Sequence, residues 1–138
     1  SWKWLKGPAL MQTDFGDPVA GDTSYALCVY SGTSNSLAIG IPSPTGWKSI
    51  SAGYSFKDSA AGGDGAFKAL LKGGDAGKSK ELVKAKGINL DLSALPLGVT
   101  TTLTAQLLRS DDSACWEAVY PLANVTVDSA TQFKAKAP

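Results

Sequence analysis

Apolar and polar residues alternate with a period of two along most of this chain, and no window carries an apolar stripe at helical spacing. Trp2, Trp4 and Lys6 alternate with Lys3 and Leu5, which predicts a first strand. Tyr25 to Tyr30 reads as a central strand, with Tyr25, Leu27 and Val29 on one face and Ala26, Cys28 and Tyr30 on the other. Both faces are apolar, as in a strand covered on both sides or one that pairs its cysteine across a core. Residues 31–36 form a polar turn, and Leu37 to Ile41 folds back as a hairpin partner until Pro42 and Pro44 end it. Trp47 to Ile50 is ambiguous. Gly53 to Asp58 alternates again, and Phe67, Ala69 and Leu71 alternate with Lys68 and Lys72. The next strand, Lys78 to Lys86, carries Lys80, Lys84 and Lys86 on one side, in the manner of an edge that discourages unwanted pairing. Ile88, Leu90 and Leu92 alternate with Asn89 and Asp91. The Thr-rich run from Val99 to Leu108 predicts a strand, and Cys115 to Tyr120 sets Trp116, Ala118 and Tyr120 opposite Cys115, Glu117 and Val119. Val125, Val127 and Phe133 are apolar anchors in the tail.

Roughly eight to ten short strands with regularly spaced turns predict an all-β chain, an antiparallel β-sandwich that is immunoglobulin-like in general architecture. Its 138 residues fit one domain, 1–138, large enough to bury about two-thirds of its surface on folding. No apolar run approaches the about 20 residues needed to cross a bilayer, so no membrane insertion is expected. The opening Ser1-Trp2-Lys3-Trp4 lacks the apolar stretch of a signal peptide; an exported form would be the mature chain.

Charge changes this picture little. Thirteen basic and 12 acidic side chains give no electrostatic case for nucleic acid or anionic lipid. The local excess of Lys between Lys57 and Lys86 reads as a solvated face. Cys28 and Cys115 have no metal-type spacing and lie in apolar strand contexts, so they are either bridged or two buried free thiols. A single Met and a single Arg among abundant Ser, Thr, Gly and Ala suit an exported protein. The expectation is one disulfide, Cys28–Cys115, worth on the order of 4–5 kcal/mol through the long loop it closes.

The segments Phe15-Gly16-Asp17-Pro18, Tyr25-Ala26-Leu27-Cys28-Val29-Tyr30, Gly53-Tyr54-Ser55-Phe56-Lys57-Asp58, Cys115-Trp116-Glu117-Ala118 and Phe133-Lys134-Ala135-Lys136 resemble a domain of exported proteins from environmental bacteria with no known activity. The resemblance spans nearly the whole chain and implies a secreted or cell-surface location. It further implies a second cysteine pair where this chain has Ser43, Pro44 and Trp47, which leaves Cys28 and Cys115 only each other as partners.

Candidate chemistry is sparse. The chain has no histidine, which removes the commonest general base and metal ligand. Asp14-Phe15-Gly16 spells a kinase tripeptide without the rest of that signature. Most carboxylates, including Asp14, Asp17, Asp22, Asp111 and Asp112, neighbour Gly, Ser or Pro and read as turn builders. Calcium is the one metal that loop carboxylates would suit, but no recognised loop is present. No metal, cofactor or catalytic residue is therefore expected.

Aromatic residues carry what remains. Trp2 and Trp4, with Leu5, sit where chains ordinarily fray and ask for a surface to cover them. The leading expectation is a non-catalytic extracellular structural or interaction module. It would self-assemble through edge strands or the segment holding Trp2, Trp4 and Leu5, with itself or another extracellular protein as partner. Deleting residues 1–6 would then abolish assembly and spare the fold. The alternative is a carbohydrate-binding module that stacks a polysaccharide on exposed Trp47 and Tyr54.

Overall fold

The computed structural model describes residues 1–136 and consists of antiparallel strands. They are β1 (Trp2–Gly7), β2 (Tyr25–Ser31), β3 (Ser34–Ile41), β4 (Trp47–Ile50), β5 (Gly53–Lys57), β6 (Ala66–Lys72), β7 (Ser79–Ala85), β8 (Thr102–Arg109), β9 (Cys115–Pro121), β10 (Val125–Ser129) and β11 (Gln132–Ala135). A five-stranded sheet runs β1-β7-β6-β5-β4, a four-stranded sheet runs β3-β2-β8-β9, and β10 and β11 form a separate hairpin. The ambiguous Trp47–Ile50 run is a strand because Trp47 pairs with Phe56 and turns its ring inward.

The period-two pattern decides which face is buried. On the five-stranded sheet Trp2, Glu81, Val83, Ala69, Leu71, Tyr54, Phe56 and Trp47 point inward. On the four-stranded sheet the inward set includes Tyr25, Leu27, Ile39, Ile41, Leu103, Ala105, Leu107, Trp116 and Tyr120. The apolar members of both sets belong to one core. Aromatic rings connect the sheets: Tyr25 lies 5.1 Å from Trp47, which lies 5.3 Å from Phe56. Burial pushes the Tyr25 phenol up, and its hydroxyl donates to the Phe15 carbonyl. That bond ties the 3-10 turn Gln12–Phe15 to the core, where Phe15 packs 5.4 Å from Trp116.

The sheet edges are blocked in several ways, as natural sheets commonly are. Trp4 Nε1 donates to the Glu117 carbonyl at 3.0 Å, which fastens edge β1 to edge β9. At the opposite side Trp47 Nε1 donates to the Pro42 carbonyl at 3.0 Å, and Asp64 Oδ2 accepts from the Gly40 amide at 2.7 Å on β3. A bulge at Lys6, whose φ of 60° is left-handed, shifts the register of β1 before its last pair, Gly7 with Ser79.

Three expectations are corrected. Cys28 and Cys115 are free thiols, not a disulfide. Cys28 stands opposite Gln106 and Cys115 opposite Leu108, on either side of β8 in one sheet. Two strand spacings separate them by about 10 Å, beyond the about 7 Å reach of a bridge. Neither crosses the core: Cys28 is buried on the outer face, away from Leu27 and Val29, and Cys115 is exposed. Second, β7 is no edge, because β1 pairs on one side of it and β6 on the other. Third, the alternation at Ile88–Leu92 belongs to an irregular segment, residues 86–101, in which Ile88 is fully exposed.

Candidate binding cleft

Segment 86–101 lies between β7 and β8, which belong to different sheets, so it must cross from one sheet to the other. Uninterrupted irregular stretches of this length are uncommon and are often functional. Its two ends are tethered. Asn89 Nδ2 donates to the Ala61 carbonyl at 3.1 Å, and Asp128 accepts from the amides of Leu97 at 2.7 Å and Val99 at 3.2 Å. Gly65, at φ 86°, lets the segment begin close against β6: a Cβ there would lie 2.7 Å from the Lys86 carbonyl oxygen and 3.0 Å from the Leu90 amide. Between these tethers the hydrogen bonds among the described residues are local turns, such as Leu95 to Leu92 and Ser93 to Asp91. Leucines, rather than backbone bonds, hold the middle.

Those leucines roof a cavity of about 590 Å³. Its floor is formed by Leu27, Ile39, Leu103 and Ala105 of one sheet and Trp2 and Val83 of the other. Leu90, Leu95 and Leu97 close it from the segment, and Phe133 closes it from the β10–β11 hairpin. Lys3, Lys134 and Asp91 bring charge to its lining. The size falls within the about 300–1,000 Å³ typical of small-molecule sites, and the lining is apolar with a few polar groups, as such sites usually are. A second concavity of about 500 Å³ lies among Trp4, Asp14, Arg109, Asp112, Cys115 and Trp116.

The residues singled out from sequence fall elsewhere. Trp47 and Tyr54 are 5 % and 7 % exposed and neighbour one another's strands in the core, so neither presents a ring face to a sugar. The signal that misled is plain: an aromatic beside turn residues reads as exposed until its cross-strand partners are known. Trp2 is buried in its own domain and forms part of the cleft floor. Trp4 is half-buried on the hydrogen bond to Glu117, and Leu5 points to solvent at 59 % exposure. The loop aspartates build turns. Asp14 Oδ2 accepts from the Met11 amide at 2.6 Å, and Asp17 Oδ1 accepts from Val19 and Ala20 at 3.0 and 2.9 Å. Those backbone bonds hold the Asp17 carboxyl below its ordinary range. Asp111 takes Arg109 Nε at 2.9 Å and the Thr23 hydroxyl at 2.8 Å, and the Arg109 bond keeps its carboxyl low as well. Arg109 also donates to the Asp14 carbonyl at 2.9 Å, so the one arginine of the chain staples turn to turn.

Glu81 was not among the candidates, although it is the most unusual side chain in the structure. It is fully buried on the inner face of β7, between Trp4 of β1 and Leu71 of β6. Neither carboxylate oxygen has a hydrogen-bond partner among the described residues. Burial pushes its pKa up to about 8, so the group is neutral at neutral pH. It lies one cross-strand row beyond Val83, outside the cleft lining. The alternation Ser79, Glu81, Val83, Ala85 could have shown it, since a glutamate in register with Val83 must share its face.

No helix among the described residues is long and apolar enough to cross a membrane. No protein-family model matches the chain, and no curated protein and no solved structure matches it.

Proposed function

We propose that this chain is a non-catalytic, extracellular interaction module, a β-sandwich whose binding site is the apolar cleft under segment 86–101, and that its occupant is a small apolar molecule. The observation that carries this reading is the cleft itself. It reaches down to core residues of both sheets, a depth that suits a whole small ligand better than the flat face of a partner protein. The immunoglobulin-like part of the architecture draws no support from strand order, since both cysteine strands lie in one sheet. A non-catalytic role is favoured because the loop carboxylates are spent on turns and Glu81 has no partner with which to share a proton.

Titration with the neutral fluorescent probe N-phenylnaphthylamine tests the proposal. Saturable uptake at one site is expected, weakened roughly tenfold by Ala105→Leu, which adds bulk to the cleft floor, while cooperative urea unfolding persists. An absence of saturable uptake by the wild-type chain sinks the proposal.

Self-assembly is the second reading, and β1 favours one form of it. Edge-to-edge addition faces the hydrogen bonds that occupy Glu117 and Gly40. Exchange of β1 between copies does not, because Trp2 would fill the same core position in the other copy. Light scattering over a range of protein concentrations distinguishes the two cases: exchanged dimers grow with concentration, and a constant monomer mass excludes them.

A further inference from the structure

The outward face of the five-stranded sheet holds lysine in rows. Lys57 of β5 stands directly opposite Lys68 of β6, which stands opposite Lys84 of β7. Two rows along, Lys72 stands opposite Lys80. Between these rows run Ser55, Leu70 and Leu82, flanked by Lys48 of β4 at one end and Lys3 of β1 at the other. Neighbouring lysines in a row are about 4.8 Å apart across the strands, and the two rows lie about 13 Å apart along them.

No acidic side chain shares this face. The one carboxylate in these five strands is Glu81, and it points inward. Among the described residues the ion pairs involve only Lys78 and Arg109, neither of them on the face. Like charges directly opposite in a sheet are destabilising, so this arrangement works against the fold that carries it. The near-neutral whole chain conceals the asymmetry, because the acidic residues other than Glu81 stand in the connections, on β9 or on the β10–β11 hairpin.

We propose that this face binds an acidic polysaccharide, a linear polymer whose carboxylates or sulfates lie along the lysine rows. Closely spaced cations with no counter-charge call for an anionic partner, and three details select its class. Lysine ammonium groups are point charges that suit repeated anions along a polymer without a fixed bidentate fork, and no arginine stands among them. No aromatic ring stands in these rows on which a nucleic-acid base could stack. Leu70 and Leu82 are half-buried between lysine stems, so only Leu5, at the margin, protrudes as a bilayer-binding face would need. A five-stranded sheet is also twisted, and a flexible chain follows a twisted face where a plane touches only part of it. The lysine rows lie outside the cleft, which shares only the marginal Lys3 and Leu5 with this face, and Trp47 and Tyr54 stay in the core.

Retention on immobilised polygalacturonate, with its fully methyl-esterified form as the uncharged control, tests this. The wild-type chain should bind the acid form alone and lose binding steeply as salt rises. The Lys68→Thr/Lys80→Thr variant should bind roughly tenfold more weakly and yet unfold at a higher urea concentration, since both like-charge rows are relieved. Lys78→Thr, off the face, should bind as wild type does. Equal retention on the esterified polymer overturns the proposal, as does undiminished binding by the double variant. Tighter binding at the same ionic strength to single-stranded DNA or to vesicles rich in anionic lipid overturns the choice of partner.

Discussion

At the scale of the residue, Glu81 makes the sharpest forecast. Its carboxyl is raised from an ordinary 4.5 to about 8 by burial. Below the lower value both folded and unfolded chains hold the proton, and burial adds no pH-dependent cost. Between the two values only the folded chain holds it, so stability falls by about 1.4 kcal/mol per pH unit, on the order of 4–5 kcal/mol in all. Urea midpoints should decline from pH 5 to pH 8 in the wild type and stay flat over that window in Glu81→Leu, which should also be the more stable protein at pH 7.5. An unchanged slope in the variant would show that another group is responsible. Trp47 gives the opposite kind of forecast. Trp47→Ala should cost about 3–5 kcal/mol in chemical unfolding, as expected of a ring wedged between Tyr25 and Phe56. A stable variant would return that ring to the surface. The thiols can be counted directly: in native protein Cys115 should react with a disulfide reagent at once and Cys28 slowly, and the unfolded, unreduced chain should react at both. Failure to find two thiols would restore the bridge.

At the scale of the element, most strands were legible because a period of two is unambiguous when one face is buried. Tyr25 to Tyr30, Phe67 to Lys72 and Cys115 to Tyr120 all keep their inferred faces except at Phe67, where a register shift between Ala66 and Lys68 leaves the ring half-exposed under Lys86 Nζ, 4.7 Å away. Segment 86–101 was misread because Ile88, Leu90 and Leu92 alternate as they would on a strand, although only Leu90 packs against the core and Ile88 stands fully exposed. Strand β1 shows what local pattern cannot supply. Its partner β7 lies far along the chain, and without that pairing Trp2 and Trp4 look like contact residues in search of a partner. Deletion of residues 1–6 should therefore not spare the fold. It removes Trp2 from the core and the Trp4 bond to β9, and should lower unfolding stability by about 3–5 kcal/mol. A truncated chain as stable as the full one would mean that β1 is dispensable after all.

At the scale of the whole molecule, the all-β class was written in the sequence and the strand order was not. Two cysteines on long apolar strands are compatible with a bridge across a core. Only the placement of β2, β8 and β9 side by side shows that they sit too far apart on one face. Charge followed the same rule. Composition reports near balance, and register alone gathers Lys57, Lys68 and Lys84 into one row. The cleft needed still more, because it exists only where two sheets, a long segment and a hairpin meet.

The pairing of β1 with β7 also sets an order of events in time. Trp2 cannot reach its place beside Val83 until the chain has been made and folded as far as β7. Pairings between distant parts of a chain are slow to form, and β-rich domains dominated by them commonly fold over milliseconds to seconds. During synthesis two tryptophans therefore wait uncovered until β7 is made, and in refolding β1 docks after the local hairpins. Its arrival should be visible as a late change in tryptophan emission during refolding, after the β2–β3 and β5–β6 hairpins have closed.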